Sequence, residues 1–321
     1  MRMASYGTLS SGCRRIIQPA SAPRCFTTQR LGYIASRGRR MKVTILCDRM
    51  RAEPLAWIHR AEARSIAREL REYGYEPNVF VFDPTRMRAL AGETLLLRLS
   101  DPVMRLAAQT LSRASIAYHG PGAAALERCY DKLTASTIVL EHGMDVPLTI
   151  SADAAATLKP PLVIKPRRGS DSLGLRLVAR HPIPARLRTP EHIAQTRVRG
   201  IEITVALSGH RAGFPLQILL PPGTPYSFTR KYVLRPKREP LPDVQLAERV
   251  RTCATRIATA LGVGWAARVD FVYDASVDRL WFLECDAAPL VSRDSAFAAS
   301  FAAAGRGRDT QLRMLLGAIE Q

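Results

Sequence analysis

Three carboxylates and an arginine stand close together late in the chain, in Arg268-Val269-Asp270 and Glu284-Cys285-Asp286. Residues two apart on a strand point to one side of a sheet. Arg268 and Asp270 therefore share a face, and Phe282, Glu284 and Asp286 share a face of a return strand, while Val269, Phe271 and Tyr273 turn toward a core. A turn at 274–279 would fold the two segments together and bring Asp270, Glu284 and Asp286 into one small volume. Carboxylates that close repel one another and resist ionisation without a cation. Hard oxygen ligands of this kind suit Mg²⁺ bridging phosphate groups. Arg268, beside them, would contact a carbonyl or phosphoryl oxygen. A charged hairpin face with surface ion pairs is the plainer alternative, and the hairpin alone leaves both open.

The elements that must position this hairpin alternate along the chain. A strand at 43–47 precedes a helix at 55–73, where Ile58, Ala61, Ile66 and Leu70 recur at helical spacing and Gly74 supplies the stop. A strand at 78–82 completes a parallel βαβ unit. Strands at 95–99 and 116–118 and a helix at 102–112 fill out a small open α/β lobe over 41–119. Beyond 120 the pattern changes. A helix at 126–142 leads to a hairpin at 162–178 whose polar tip carries Gly169 and Gly174. Strands follow at 202–207, 216–220, 268–273 and 280–285, with a helix at 244–261. The expected class is α/β with α+β lobes: a central lobe over 120–200 and a C-terminal lobe over 201–321 that carries the hairpin.

Composition narrows the function. About 47% of the 321 residues are apolar, yet no charge-free run approaches the roughly 18 residues of a membrane span. The six cysteines have no paired spacing, which fits a reducing compartment with neither disulfides nor a zinc site. The net charge of +19 is uneven, because residues 1–40 hold eight arginines and no acid, leaving +11 for the rest. No basic stripe interleaved with aromatics appears, so a surface that attracts anionic nucleotide is the simpler reading than a nucleic-acid partner. The segment 1–40 reads as a basic disordered tail. It is either transit-like or the product of a start assigned upstream of Met41, and the second is preferred.

Further motifs place the hairpin in a series. Gly264-Trp265-Ala266-Ala267-Arg268-Val269-Asp270, with Phe282-Leu283-Glu284-Cys285-Asp286-Ala287-Ala288-Pro289, resembles the C-terminal signature of D-alanine–D-alanine ligases in the ATP-grasp superfamily. Asp131-Lys132-Leu133 and Val163-Ile164-Lys165-Pro166 look like that family's two phosphate-binding lysines. Gly200-Ile201-Glu202-Ile203-Thr204-Val205 is similar to the strand after its adenine hinge, and Arg230-Lys231-Tyr232 to its mobile loop. The order is the family's, over roughly 115–320.

The resemblance implies an ATP-grasp fold, with an N-terminal open parallel α/β domain and two lobes sandwiching ATP. It also implies an ATP-dependent ligase joining a carboxylate to an amine through an acylphosphate. Lys132 and Lys165 would neutralise α- and β-phosphates. The loop around Ser172 would cap the γ-phosphate, and Lys231 would close over it. Gln195 and Val198 would hold adenine, and Glu202 the ribose. Asp270, Glu284 and Asp286 would carry two Mg²⁺ ions, with Mn²⁺ as a substitute. Arg268 would stabilise the oxyanion, Ser295 would grip the second substrate's carboxylate, and Glu53 would meet an incoming amine. Amino-acid or peptide substrates, a cytoplasmic location, no membrane, no nucleic acid and room for a homodimer complete the expectation.

Four departures qualify it. Asp286 replaces an asparagine and Leu290 a glycine whose backbone approaches the reacting centre. Gln195 replaces an acidic residue in a shortened central segment, and the first lobe lacks the family's glycine-rich acidic stretch. A RimK-like or glutathione-synthase-like ligase acting on a peptide or natural-product carboxylate is one alternative; a non-catalytic ATP-binding module is the other.

Overall fold

The computed structural model describes residues 40–49, 56–169, 174–180, 182–221 and 236–317. Strand β1 (Lys42–Cys47) is buried along nearly its whole length, and α1 (Ala56–Glu72) packs Ala63, Ile66, Ala67 and Leu70 inward. With β2 (Glu76–Val81) and β3 (Leu95–Arg98) it forms a parallel sheet ordered β2-β1-β3. A central parallel strand covered on both faces must be apolar throughout, as Val43 to Cys47 nearly are. Helix α2 (Asp101–Arg113) follows. The strand expected at 116–118 is reduced to a single parallel bridge between Leu96 and His119.

The helix expected over 126–142 is two helices, α3 (Ala123–Tyr130) and α4 (Lys132–Glu141). Asp131 breaks it. Its backbone leaves the helical region (φ −87°, ψ 100°), and its carboxylate accepts hydrogen bonds from the amides of Leu133 and Thr134. A short acidic side chain competes for the backbone in this way and restarts the helix beneath itself.

A second sheet, antiparallel and ordered β4-β7-β5-β6, is built from β4 (Thr149–Ser151), β5 (Leu162–Pro166), β6 (Arg176–Val178) and β7 (His192–Thr196). The expected 162–178 hairpin is its β5–β6 half. A third sheet, ordered β11-β10-β8-β12-β13, comprises β8 (Ile201–Ser208), β9 (Arg211–Ala212, paired to β8), β10 (Leu216–Ile218), β11 (Arg238–Pro240), β12 (Ala266–Asp274) and β13 (Arg279–Asp286). Helix α5 (Val244–Leu261) covers its apolar face. Val250, Ala254, Ile257 and Leu261 share one core with Ile203, Val205, Val269, Phe271 and Phe282. Asp243 caps the start of α5, and Gly262, in the left-handed region, ends it.

Helices α6 (Ala296–Ala303) and α7 (Arg308–Leu315) return to the first sheet. Val43, Ile45, Ile66 and Leu70 lie in one core with Trp265, Phe297, Phe301, Leu312 and Leu315. The first sheet is thereby fastened to the end of the chain, and α1 comes to lie along the segment that follows β13. Among the described residues no helix is long and apolar enough to cross a membrane.

Candidate functional site

Strands β12 and β13 pair antiparallel, with Arg268 opposite Asp286 and Asp270 opposite Glu284. On its other side β12 pairs β8, Asp270 opposite Thr204 and Val272 opposite Glu202. Directly opposed residues project to the same face. One face of the third sheet therefore presents Glu202, Thr204, Arg268, Asp270, Glu284 and Asp286. The register slips between Asp270 and Phe271, leaving Leu283 as an extra residue. That bulge corrects one expectation: Phe282 does not share the face of Glu284 but is turned into the core, 1% exposed.

Arg268 does not lie beside the carboxylates but among them. Its Nε is 3.0 Å from Asp270 Oδ1, and its Nη2 is 3.2 Å from Asp270 Oδ2. The same Nη2 is 3.6 Å from Asp286 and 3.9 Å from Glu284. Burial works against the guanidinium's charge, but Asp270, Asp286 and Glu284 together outweigh it and hold the group firmly protonated. Thr204 donates to Asp270 Oδ1 at 2.7 Å. Among the described residues no group of three acidic, histidine or cysteine side chains is arranged to hold a metal ion, and here the Arg268 guanidinium stands among the carboxylates. The donor chemistry still fits Mg²⁺. Three hard carboxylates are the donor set that Mg²⁺ takes.

Lys132 and Lys165 are both nearly buried. Lys132 is the first residue of α4, where the helix dipole disfavours a cation and favours an anion. Asp131 offsets this locally, and its carboxylate receives Arg167 Nε at 2.9 Å. The backbone N–H of Lys132 donates to Arg167 O at 3.0 Å, and its Nζ donates to Gly169 O. Asp131 thus ties the start of α4 to the chain leaving β5, and so ties Lys132 to Lys165. Burial pushes the Asp131 carboxyl up. The hydrogen bonds from Arg167 and Thr134 and the charges of Arg167 and Arg168 outweigh this and hold it below its ordinary value. A depressed folded-state value stabilises above the unfolded one and is lost as pH falls through it. Asp131→Ala should therefore cost about 1–3 kcal/mol at neutral pH, and the gap to wild type should close in acid. Urea melts across pH would check this.

A narrow cleft of about 40 Å³ lies between the start of α4 and the third sheet. Lys132 and Gly169 line it together with Asp101, Arg268, Glu284 and Asp286. Gln195, on β7, is buried in the second sheet and donates from Nε2 to Thr149 Oγ1 at 2.8 Å. Val198 is half-buried in the link from β7 to β8. There Gly200, at φ 149°, passes so close to β12 that a Cβ would stand 2.0 Å from Tyr273 O, so glycine is required. Ser295 caps α6, accepting from the Ala298 amide at 3.1 Å, and its hydroxyl hydrogen remains a donor. Lys231, Ser172 and Glu53, like the tail at 1–39, lie outside the described residues.

Asp131 and Thr204 join the candidate site, the one beside Lys132 and the other bonded to Asp270, and the sequence alone did not single them out. Both had a signal: an Asp before a helical run is an N-cap, and Thr204 alternates with Glu202. Cys285 lies beneath the site, where its hydrogen bond with Cys129 and its burial push the thiol well up.

Comparison with known proteins shows the family of the chain. The family model described as "D-ala D-ala ligase C-terminus" matches residues 136–316. A D-alanine–D-alanine ligase of Bordetella petrii is 30% identical over 199 residues, 56% of this chain and 60% of that protein. The chain thus matches about 60% of the length of that curated relative. A crystal structure of the D-alanine–D-alanine ligase of Bacillus anthracis superposes with a TM-score of 0.73 at 19% identity, covering 86% of this chain and 96% of that one. The same enzyme complexed with ATP gives 0.72 at 20% identity, covering 87% and 96%. With more than half of its residues matched by the family model and its fold that of ATP-grasp ligases, the chain belongs to the D-Ala-D-Ala ligase family.

Proposed function

We propose that the protein is an ATP-dependent carboxylate–amine ligase that forms an amide bond through an acylphosphate, with small amino acids or peptides as substrates. The cleft carries this reading: the buried Lys132 and an arginine–carboxylate cluster line one small volume. Polyanionic triphosphate meets Lys132 and Lys165. A substrate carboxylate oxygen attacks the γ-phosphorus, and ADP leaves with the bond's electron pair. An amine then attacks the acyl carbon, phosphate leaves, and the amine's extra proton is released. Arg268 holds the oxyanion between those events. Mg²⁺ held by Asp270, Glu284 and Asp286, when bound, would neutralise triphosphate charge. Gln195, Val198 and Glu202 are assigned to the nucleoside, Ser172 and Lys231 to the γ-phosphate, and Ser295 with Glu53 to the amino-acid side.

Phosphate release from ATP with a panel of D- and L-amino acids and dipeptides tests the proposal. The expected result is release that requires both a carboxylate and an amine. ATP binding by calorimetry without turnover across the panel would instead identify a nucleotide-binding module. Leu290, half-buried where the resemblance to the family implies a glycine, favours a second reading in which the acceptor is other than D-alanine. Turnover with peptides but not D-alanine would select it.

A further inference from the structure

Helix α1 buries two carboxylates, Glu62 and Glu69, on the face turned toward the segment that follows β13. Glu62 Oε2 accepts from Arg98 Nε at 2.8 Å and also from Arg98 Nη2. Its Oε1 accepts from the backbone amides of Val291 and, at 3.1 Å, Ser292. Arg98, fully buried at the end of β3, donates onward to Pro289 O at 2.8 Å. Further along the helix, Glu69 accepts from the Arg293 amide at 3.2 Å and from Arg308, whose Nη2 donates to Val291 O at 2.7 Å. Residues 289–293 are therefore gripped through their backbone by two ion pairs, Glu62–Arg98 between α1 and β3 and Glu69–Arg308 between α1 and α7.

An ion pair this deep is a poor device for stability alone. Its desolvation roughly cancels its attraction, and apolar side chains would fasten the two elements equally well. Arg98 Nη1, moreover, is buried with no hydrogen-bond partner among the described residues. What the pair supplies is direction: it fixes two N–H groups and one carbonyl in a segment that runs from Asp286 to the α6 cap at Ser295. It also spends the amides of 291 and 292 on Glu62, leaving oxyanion stabilisation to Arg268.

We infer that Glu62 and Arg98 are positioning residues for the acceptor side of the site, setting the 289–292 backbone against which the incoming amine substrate is held. This rests on the ligase reading above. Glu62→Gln and Arg98→Lys are expected to raise the KM for the acceptor by ~10–100-fold while the affinity for ATP changes by less than ~3-fold. The lysine variant, which keeps the charge but loses the fork, should be the milder. Equal losses in ATP affinity and acceptor KM, or a lower melting temperature with unchanged kinetics, would overturn the inference. Should Glu62→Gln fail to fold, Arg308→Lys loosens the same segment from α7 and must show the same split, or the inference fails. A wild-type protein without amine-dependent turnover would overturn the ligase reading instead.

Discussion

Replacing Lys165 with alanine is expected to lower amine-dependent ADP release by ~10³-fold or more while leaving the fold intact. Lys165 ends the apolar run of β5, and its neighbour Ile164 is fully buried on the opposite face. The lysine itself is only 9% exposed, so its charge acts where water screens it least. Bringing a substrate carboxylate to a triphosphate sets anion against anion, and each buried cation lowers that barrier most where charge shifts in the transition state. Lys132→Ala should follow the same course, since its side chain is as deeply placed, at 8% exposed. Circular dichroism would verify folding and a coupled ADP assay would read the loss; unchanged turnover in Lys165→Ala would sink the assignment of this strand to ATP.

The hairpin was legible because alternation on a strand is the most direct relation between sequence and space. Arg268 and Asp270 had to share a face, and the pairing of Asp270 with Glu284 needed only a short turn. The bulge was not legible. One extra residue, Leu283, leaves no compositional mark, yet it sends Phe282 to the opposite side. The break at Asp131 was hidden differently: apolar residues on both sides kept helical spacing, and only cap chemistry separates one helix from two. Strands β4 and β7 escaped because they are three and five residues long, and His192-Ile193-Ala194-Gln195-Thr196 lacks clean alternation. The grip of α1 on residues 289–293 joins positions more than 220 apart, and no local pattern encodes it. Charged residues at apolar positions of α1, Glu62 and Glu69, were the one available sign, since carboxylates in a core require partners.

Arg268→Ala should separate two properties that a simple active-site residue would lose together. Turnover is expected to fall ~10²–10³-fold, the usual loss when an oxyanion donor is removed. Mg²⁺ binding, in contrast, should tighten. The guanidinium stands 3.0 Å from Asp270, 3.6 Å from Asp286 and 3.9 Å from Glu284, where any ion shared by those carboxylates would compete with it. A unit charge at roughly 4 Å is worth about 4 kcal/mol at an effective dielectric near 20. Most of that is returned as the vacated carboxylates take on water, so a gain of ~10-fold in Mg²⁺ affinity is the reasonable scale. Without Mg²⁺ the variant should be less stable than wild type, because three close carboxylates have lost their counter-ion, and added Mg²⁺ should raise its melting temperature more than the wild type's. Calorimetric titration and thermal melts with and without Mg²⁺ measure both effects. Weaker Mg²⁺ binding in the variant would mean that Arg268 supports the ion rather than holding its place.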